Sequence, residues 1–292
     1  MKKRFLILLL MLSLAFSCVS LARDVMSDTW VAVDDLGRVT PMNDSVGNRS
    51  NREVGMFYFV CQTGDDGTLY DTTRQYRQGG KAEVMANIPE SGSPHFWNES
   101  YFGYYRSGDP WVARKHMQML TDAGIDFIFV DISNGLIYEN DVTVILDTML
   151  EIQKEGGDIT RVCFLLGETT DRCASSATTL YEKFYSNPKY SSLWYTWGGK
   201  PLILGDLSEA GGTLQNYFTQ RRSWAWNGWT RGGNGRWPWI AESPQERGKS
   251  PTGVVEQTVV SVGFHASLSQ GLRGHPGLHP GLHLLDRFHR KR

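Results

Sequence analysis

The hydrophobic and polar positions of this chain follow two periods, and each change of period marks an element. The clearest stretch is 111–135, WVARKHMQMLTDAGIDFIFVDISNG. Val112, Met117, Leu120 and Ala123 fall near helical spacing, with Asp109 as the N-cap and Pro110 in the first turn. Gly124 supplies a left-handed stop. Residues 125–130 are apolar except for Asp126, as expected of a strand covered on both faces. Asp131 then stands at the carboxyl end of that strand, where α/β barrels and open α/β sheets place their chemistry.

The same reading carries along the chain. Residues 54–60 (VGMFYFV) form a first strong strand, and a long glycine- and proline-rich connection, 61–109, follows. Connections of that length inside a compact domain are uncommon and usually functional. A helix over 138–155, a strand over 161–167, a helix over 177–184 and a strand over 201–205 come next, then a helix near 214–221 and strands near 223–226 and 254–262. Strand ends near 131, 167 and 205 are spaced by 36 and 38 residues, the rhythm of repeated strand–helix units and a parallel sheet. The fold class expected is α/β, a (β/α)8 barrel of TIM type that stops at about six strands; closure would need two more units of roughly 30 residues each. The strands at 54–60 and 254–262 would then be its two unpaired edges.

Composition narrows the compartment and the partners. Lys2, Lys3 and Arg4 precede a 12-residue apolar run, 5–16, too short to span a bilayer, so residues 1–22 read as a signal peptide. Two cleavage readings stay open. Ser20-Leu21-Ala22 fits an ordinary small-x-small site, whereas Ala15-Phe16-Ser17-Cys18 fits a relaxed lipobox with Cys18 lipidated. Either implies export, to the periplasm or the outer surface, and the only membrane association expected is a lipid anchor at Cys18. Without Cys18 the chain keeps Cys61, Cys163 and Cys173, enough for one disulfide at most. Thirty basic against 31 acidic residues give no footprint for a nucleic-acid partner. Residues 23–53 are a polar lead-in, 54–264 the barrel, and 265–292 a low-complexity tail holding five of the seven histidines without helical or strand period. Disorder caused by a reading-frame change near residue 263 is the expectation for that tail; a histidine metal tract is the rival reading.

No GxGxxG, GxxxxGK[ST], HExxH, GxSxG or CxxC pattern is present, which removes dinucleotide, P-loop, zincin and α/β-hydrolase chemistry; no cofactor and no metal is expected. What remains is acids at strand ends: Asp131, Glu168, Asp206 and Glu242. From different strands of a barrel they would converge on one mouth, and two facing carboxyls are the minimum for glycoside hydrolysis. Glu168 and Asp206 fit helix N-caps or first-turn acids equally well. Asn134, just beyond Asp131, is placed to hydrogen-bond a sugar hydroxyl. Five of the ten tryptophans fall within 224–239; Trp224, Trp226 and Trp237 are candidate sugar-stacking faces or caps on the barrel core. In the long connection, His95, Trp97, Tyr104, Tyr105 and Arg106 look like a substrate-binding rim. His116, mid-helix, reads as structural.

The segments DAGIDFIFVD, GKPLILGD and SWAWNGW…WPWI together resemble the barrel repeats of bacterial exported glycoside hydrolases related to families 71 and 99. The resemblance covers roughly 54–262. It implies a TIM-type barrel acting on a carbohydrate substrate, in which a helix ending Ala-Gly-Ile-Asp leads into a strand ending in an acid, and Gly199-Lys200-Pro201 opens another strand. The departure lies at the carboxyl end, where such relatives complete the barrel. A glycosidase, or a non-catalytic glycan-binding surface lipoprotein or inactive truncated enzyme, follows from the same residues.

Overall fold

The computed structural model describes residues 32–39, 51–62, 70–87, 95–96, 98–167, 169–225, 233–240 and 247–260. The chain divides into two units, Met1–Ser50 with Asp122–Gly124, and Asn51–Thr121 with Ile125–Arg292. In the first, Val33 and Val39 bridge across a turn in which Asp34 accepts the amides of Leu36 and Arg38.

The second unit carries the sheet. In chain order its elements are β1 (Gly55–Tyr58), β2 (Tyr70–Asp71), α1 (Thr72–Ala86), β3 (His95–Phe96), α2 (Pro110–Asp122), β4 (Phe127–Asp131), α3 (Glu139–Lys154), β5 (Arg161–Leu165) and α4 (Thr170–Leu180). A π-turn and a 3-10 turn lead to β6 (Thr196–Trp197), β7 (Lys200–Leu204), α5 (Gly212–Tyr217), β8 (Thr219–Ala225), β9 (Arg236–Ile240), β10 (Arg247–Lys249) and β11 (Val255–Thr258). Six parallel strands lie in the order β1-β4-β5-β7-β8-β9, with β6 folded back antiparallel on β7.

The sheet is curled. In a flat sheet five strand spacings would hold β1 and β9 about 24 Å apart. Instead Phe57 of β1 stacks on Trp239 of β9, with ring centroids 5.1 Å apart and planes 9° from parallel. Strand alternation sorts the side chains accordingly. Phe127, Cys163, Leu165, Leu202, Leu204 and Trp237 fill the concave interior together with Phe57, Phe129 and Trp239. Ile128, Val130, Val162, Phe164 and Ile203 face the other way, into a layer made by Met117 of α2, Ile145 and Met149 of α3, and Ala177 and Leu180 of α4. Both faces are covered, which is why the strands read as continuous apolar runs. The architecture is a parallel α/β half-barrel of six strands, an incomplete TIM-type barrel.

Several sequence expectations are met. Asp109 Oδ1 accepts the amides of Trp111 and Val112, capping α2. Gly124 has φ 73°, and the Ile125 amide reaches back to the Leu120 carbonyl at 3.0 Å, closing the helix as a left-handed glycine allows. Asp126, the polar exception in the buried run, pins the neighbouring strand. Its carboxylate accepts the Val54 amide at 2.7 Å and fixes the entry of β1.

Three expectations are corrected. The sixth parallel strand is β9, not 254–262. Its sequence RWPWI carries a proline, which removes a ladder donor and argues against a central strand, yet an edge strand tolerates it. Residues of 254–262 instead supply β11, antiparallel to β10 in a hairpin against β9. There the Gln257 side chain donates through Nε2 to the Pro238 carbonyl at 2.8 Å. Gly248 is needed, because a Cβ would come within 2.7 Å of the Trp237 ring. The connection 61–109 contains a helix, α1, broken by non-helical backbone at Gly79 and Gly80. It buries no residue, so no apolar stripe announced it. The helix set over 214–221 ends at Tyr217, and Thr219 to Arg221 belong to β8.

Candidate functional site

All six strands run in one direction, so their carboxyl ends share one mouth. Asp131 closes β4 there. Phe127 and Phe129, four and two residues earlier, belong to the interior set, so alternation turns Asp131 to the concave side. Its Oδ1 accepts the Ser133 amide at 2.9 Å, and among the described residues no cation is paired with it. The turn that follows is ordered by Asn134, whose Oδ1 accepts the Leu136 amide at 3.0 Å and whose Nδ2 donates to the Tyr138 hydroxyl.

Tyr138 is the N-cap residue of α3 and sits in the left-handed region, φ 51° and ψ 47°, alone among the described non-glycine residues. That backbone costs a side-chain-bearing residue roughly 1–2 kcal/mol. The phenol lies near the thiol of Cys61, just past β1. The thiol is pushed up by burial, which outweighs the opposing effect of the nearby Tyr138 hydroxyl, and the charges of Asp131 and Asp141 push it further. Burial first, then the neighbouring Cys61 thiol, raises the phenol to about 12, with Asn134 acting the other way. Both groups therefore carry their protons at neutral pH, and Cys61 is no thiolate nucleophile. Sequence reasoning missed both residues. Cys61 stood at a strand end, the signal that singled out Asp131; Tyr138 carries no sequence signal for its backbone.

The other sequence candidates are placed differently. Asp206 lies beyond β7, where Oδ1 accepts the Ser208 amide at 3.0 Å and Oδ2 meets Arg222 at 3.2 Å. Tyr104 donates to Asp71, the N-cap of α1, and sets its ring edge against Phe96. Tyr105 packs its ring on His116, with centroids 5.4 Å apart. Arg106 is exposed, and its carbonyl accepts the Asp109 amide. Trp237 is 5% exposed, against Trp197 and under the Arg221 guanidinium, so it belongs to the core-capping reading. His95 pairs with Tyr70 and Trp224 with Pro238 through their backbones. Glu168, Glu242, Trp97 and Trp226, and the side chains of His95 and Trp224, lie outside what the structure describes, as do Cys18 and the tail. His116 is structural: Nδ1 lies 2.9 Å from the Tyr58 hydroxyl, and burial pushes its pKa down.

A second acid enters the interior from the hairpin. Glu256 of β11 takes Arg221 in a fork, Nε to Oε2 at 2.7 Å and NH2 to Oε1 at 2.8 Å, and accepts the indoles of Trp237 and Trp197 at 3.1 and 3.3 Å. Burial pushes its carboxyl up, but the guanidinium and the two indoles outweigh that and hold it below the usual range. Among the described residues no group of His, Cys, Asp and Glu is placed to hold a metal ion, and no helix is long and apolar enough to cross a membrane. Cys61, Cys163 and Cys173 are all unbridged.

No family model and no curated protein matches the chain. Among solved structures it is similar to the GH99 endo-α-mannosidase of Bacteroides thetaiotaomicron, solved in complex with BIS-TRIS-propane, at 18% identity and a TM-score of 0.35. The match covers 52% of this chain and 40% of that one, so the chain spans less than half the length of that structure.

Proposed function

We propose that this chain hydrolyses glycosidic bonds in a poly- or oligosaccharide, with Asp131 as one of the two carboxyl groups such chemistry requires. The observation that supports the reading is Asp131 itself: an acid at the carboxyl end of a parallel half-barrel strand, turned to the concave side, held by a backbone amide and beside an amide and a phenol. The second carboxyl comes from Glu168 or Glu242, since Asp206 is engaged by Arg222. Glycan binding without turnover is the second reading. It uses the same mouth and needs no second acid. Export, with a lipid anchor at Cys18, remains part of the proposal; the intact mass of protein made with its leader tests it.

A panel of mannan, xyloglucan, xylan, dextran and starch separates the two readings. Hydrolysis predicts release of reducing ends from at least one member, reduced by about 10²–10⁴ in Asp131→Asn. Binding without release in the parent protein would contradict hydrolysis and favour the second reading.

A further inference from the structure

The stretch between β3 and α2 contains a strap held almost entirely by rings. Its middle is a self-contained turn: the Gly103 amide donates to the Ser100 carbonyl, while Ser100 Oγ donates to the Gly103 carbonyl and accepts the Phe102 amide. Among the described residues no backbone hydrogen bond joins 98–105 to another element, and segments tied so lightly open at low cost. Side chains hold it instead. Phe102 sets its ring edge-on against Trp111, with centroids 5.4 Å apart, and lies 5.7 Å from the His116 ring. Tyr105 meets the same imidazole at 5.4 Å, and Tyr58 of β1 meets it from beneath at 5.9 Å. The strap ends on a firm anchor just past β1. The Ser107 amide donates to the Gln62 carbonyl at 2.9 Å, and Ser107 Oγ accepts the Gln62 amide at 3.1 Å.

A neutral imidazole suits this place and an imidazolium does not. The Tyr58 hydroxyl and His116 Nδ1, 2.9 Å apart, are joined by one hydrogen while the ring is neutral. Burial, and after it the neighbouring Tyr105, raises the Tyr58 phenol, so it keeps its own hydrogen. Once His116 is protonated, Nδ1 can only donate, and the Tyr58 hydrogen must turn away; among the described residues it has no second acceptor. Nothing nearby matches the new charge. The titratable groups facing it are the phenols of Tyr58 and Tyr105, and the cations beside it on α2 are engaged elsewhere, Arg114 with Glu151 and Glu155 and Lys115 over Trp111. Burial alone acts on the His116 pKa and pushes it below its ordinary value. Linkage then fixes the sign: rings that disfavour the proton are themselves disfavoured by it, so cover is complete above about pH 6.5 and is lost as pH falls below that. We propose that Ser100 to Tyr105 form an acid-released strap, in which protonation of His116 frees Phe102 and Tyr105 from α2 while the Ser107–Gln62 anchor holds as the hinge. Release hydrates the imidazolium and lets go of Tyr105, part of the expected substrate-binding rim. The proposal does not rest on glycoside hydrolysis and is read without a glycan.

The test is deuterium uptake of the whole chain between about pH 7.5 and about pH 5, read in the peptide covering 98–109, with labelling times rescaled for the intrinsic pH dependence of exchange. That window lies above the range in which Glu256 titrates, and a peptide from β5 is the internal reference. In the parent, uptake over 98–109 is expected to rise below about pH 6.5 while β5 stays unchanged. In His116→Asn, whose side chain keeps an oxygen for the Tyr58 hydroxyl and takes no proton, uptake is expected to be flat. The reciprocal measurement is the titration of His116 itself, followed by NMR of histidine-labelled protein. Phe102→Ala removes one covering ring and is expected to move that pKa upward, toward the ordinary histidine value. Uptake independent of pH in the parent would overturn the proposal, and so would an equal rise in a folded His116→Asn protein. Should that variant not fold, the titration decides: a His116 pKa left unmoved by Phe102→Ala overturns the proposal, and an upward shift supports it.

Discussion

Asp131 and Glu256 both belong to the concave half of this molecule, and they are treated in opposite ways. Glu256 is bound from four directions, by both arms of the Arg221 fork and by the indoles of Trp197 and Trp237, and its charge is fully matched. Asp131 is held by one backbone amide and lies beside a phenol and a thiol that keep their protons. The first arrangement joins the β10–β11 hairpin to β8 and β9 at the end of the open sheet. The second leaves a carboxylate with unused acceptor capacity at the mouth. An acid inside a barrel is thus no evidence of chemistry until its partners are counted.

The comparison breaks first at Glu256. Its ion pair with Arg221 is largely buried, with side chains 15% and 9% exposed. Removing one member of such a pair costs about 3–5 kcal/mol, because the other is left uncompensated. Glu256→Ala is therefore expected to lower Tm by roughly 6–20 °C, at about 2–4 °C per kcal/mol for a chain of this size. Circular dichroism melts measure it. The double change Arg221→Met with Glu256→Leu is expected to recover most of the loss, since apolar replacement of a buried pair is often neutral. A fall of under about 2 °C in the single variant would show that the hairpin does not depend on this clasp.

The curl offers the next test. Phe57→Ala removes one ring of the β1–β9 stack and is expected to cost about 2–4 kcal/mol, toward the low side of phenylalanine truncations because its site is only partly covered. A double-mutant cycle with Trp239→Ala is expected to show about 0.5–1.5 kcal/mol of coupling. Additive losses would mean that the two strands do not meet across the interior.

The pH dependence is smaller and has a defined sign. The folded-state pKa of Glu256 lies below its unfolded value, so its contribution is present above about pH 4.3 and is lost as pH falls through the folded value. Melts of the parent are expected to lose stability on acidification below that point, and Glu256→Gln is expected to lose less over the same interval. Parallel curves would contradict a depressed Glu256.

Much of the frame was legible in the chain, for reasons tied to particular residues. Asp109-Pro110, Gly124 and the run to Val130 carried their own capping, stop and burial chemistry, so α2 and β4 could be read locally. β9 could not be, because a proline between two tryptophans is acceptable only at an edge, and edge position is a property of the whole sheet. α1 was invisible because it buries nothing. At the candidate site, the position of Asp131 at the end of a buried strand was legible, while the engagement of Asn134 within the turn, with the Leu136 amide and the Tyr138 hydroxyl, was not. Tyr138 was not, since its left-handed backbone is fixed by the turn around it. Trp237 looked like a stacking face because sequence shows an indole but not that Glu256 and Arg221 occupy it.

The most direct measurement sets Asp131→Asn beside Glu256→Gln on the best substrate of the neutral panel, with rate and Tm recorded for both. Asparagine keeps an oxygen for the Ser133 amide, so the account predicts for Asp131→Asn a Tm within about 2 °C of the parent and a rate lower by about 10²–10⁴. For Glu256→Gln it predicts a lowered Tm and an undiminished rate per folded molecule. Parental turnover in a folded Asp131→Asn protein, or loss of turnover in Glu256→Gln without loss of Tm, would contradict it.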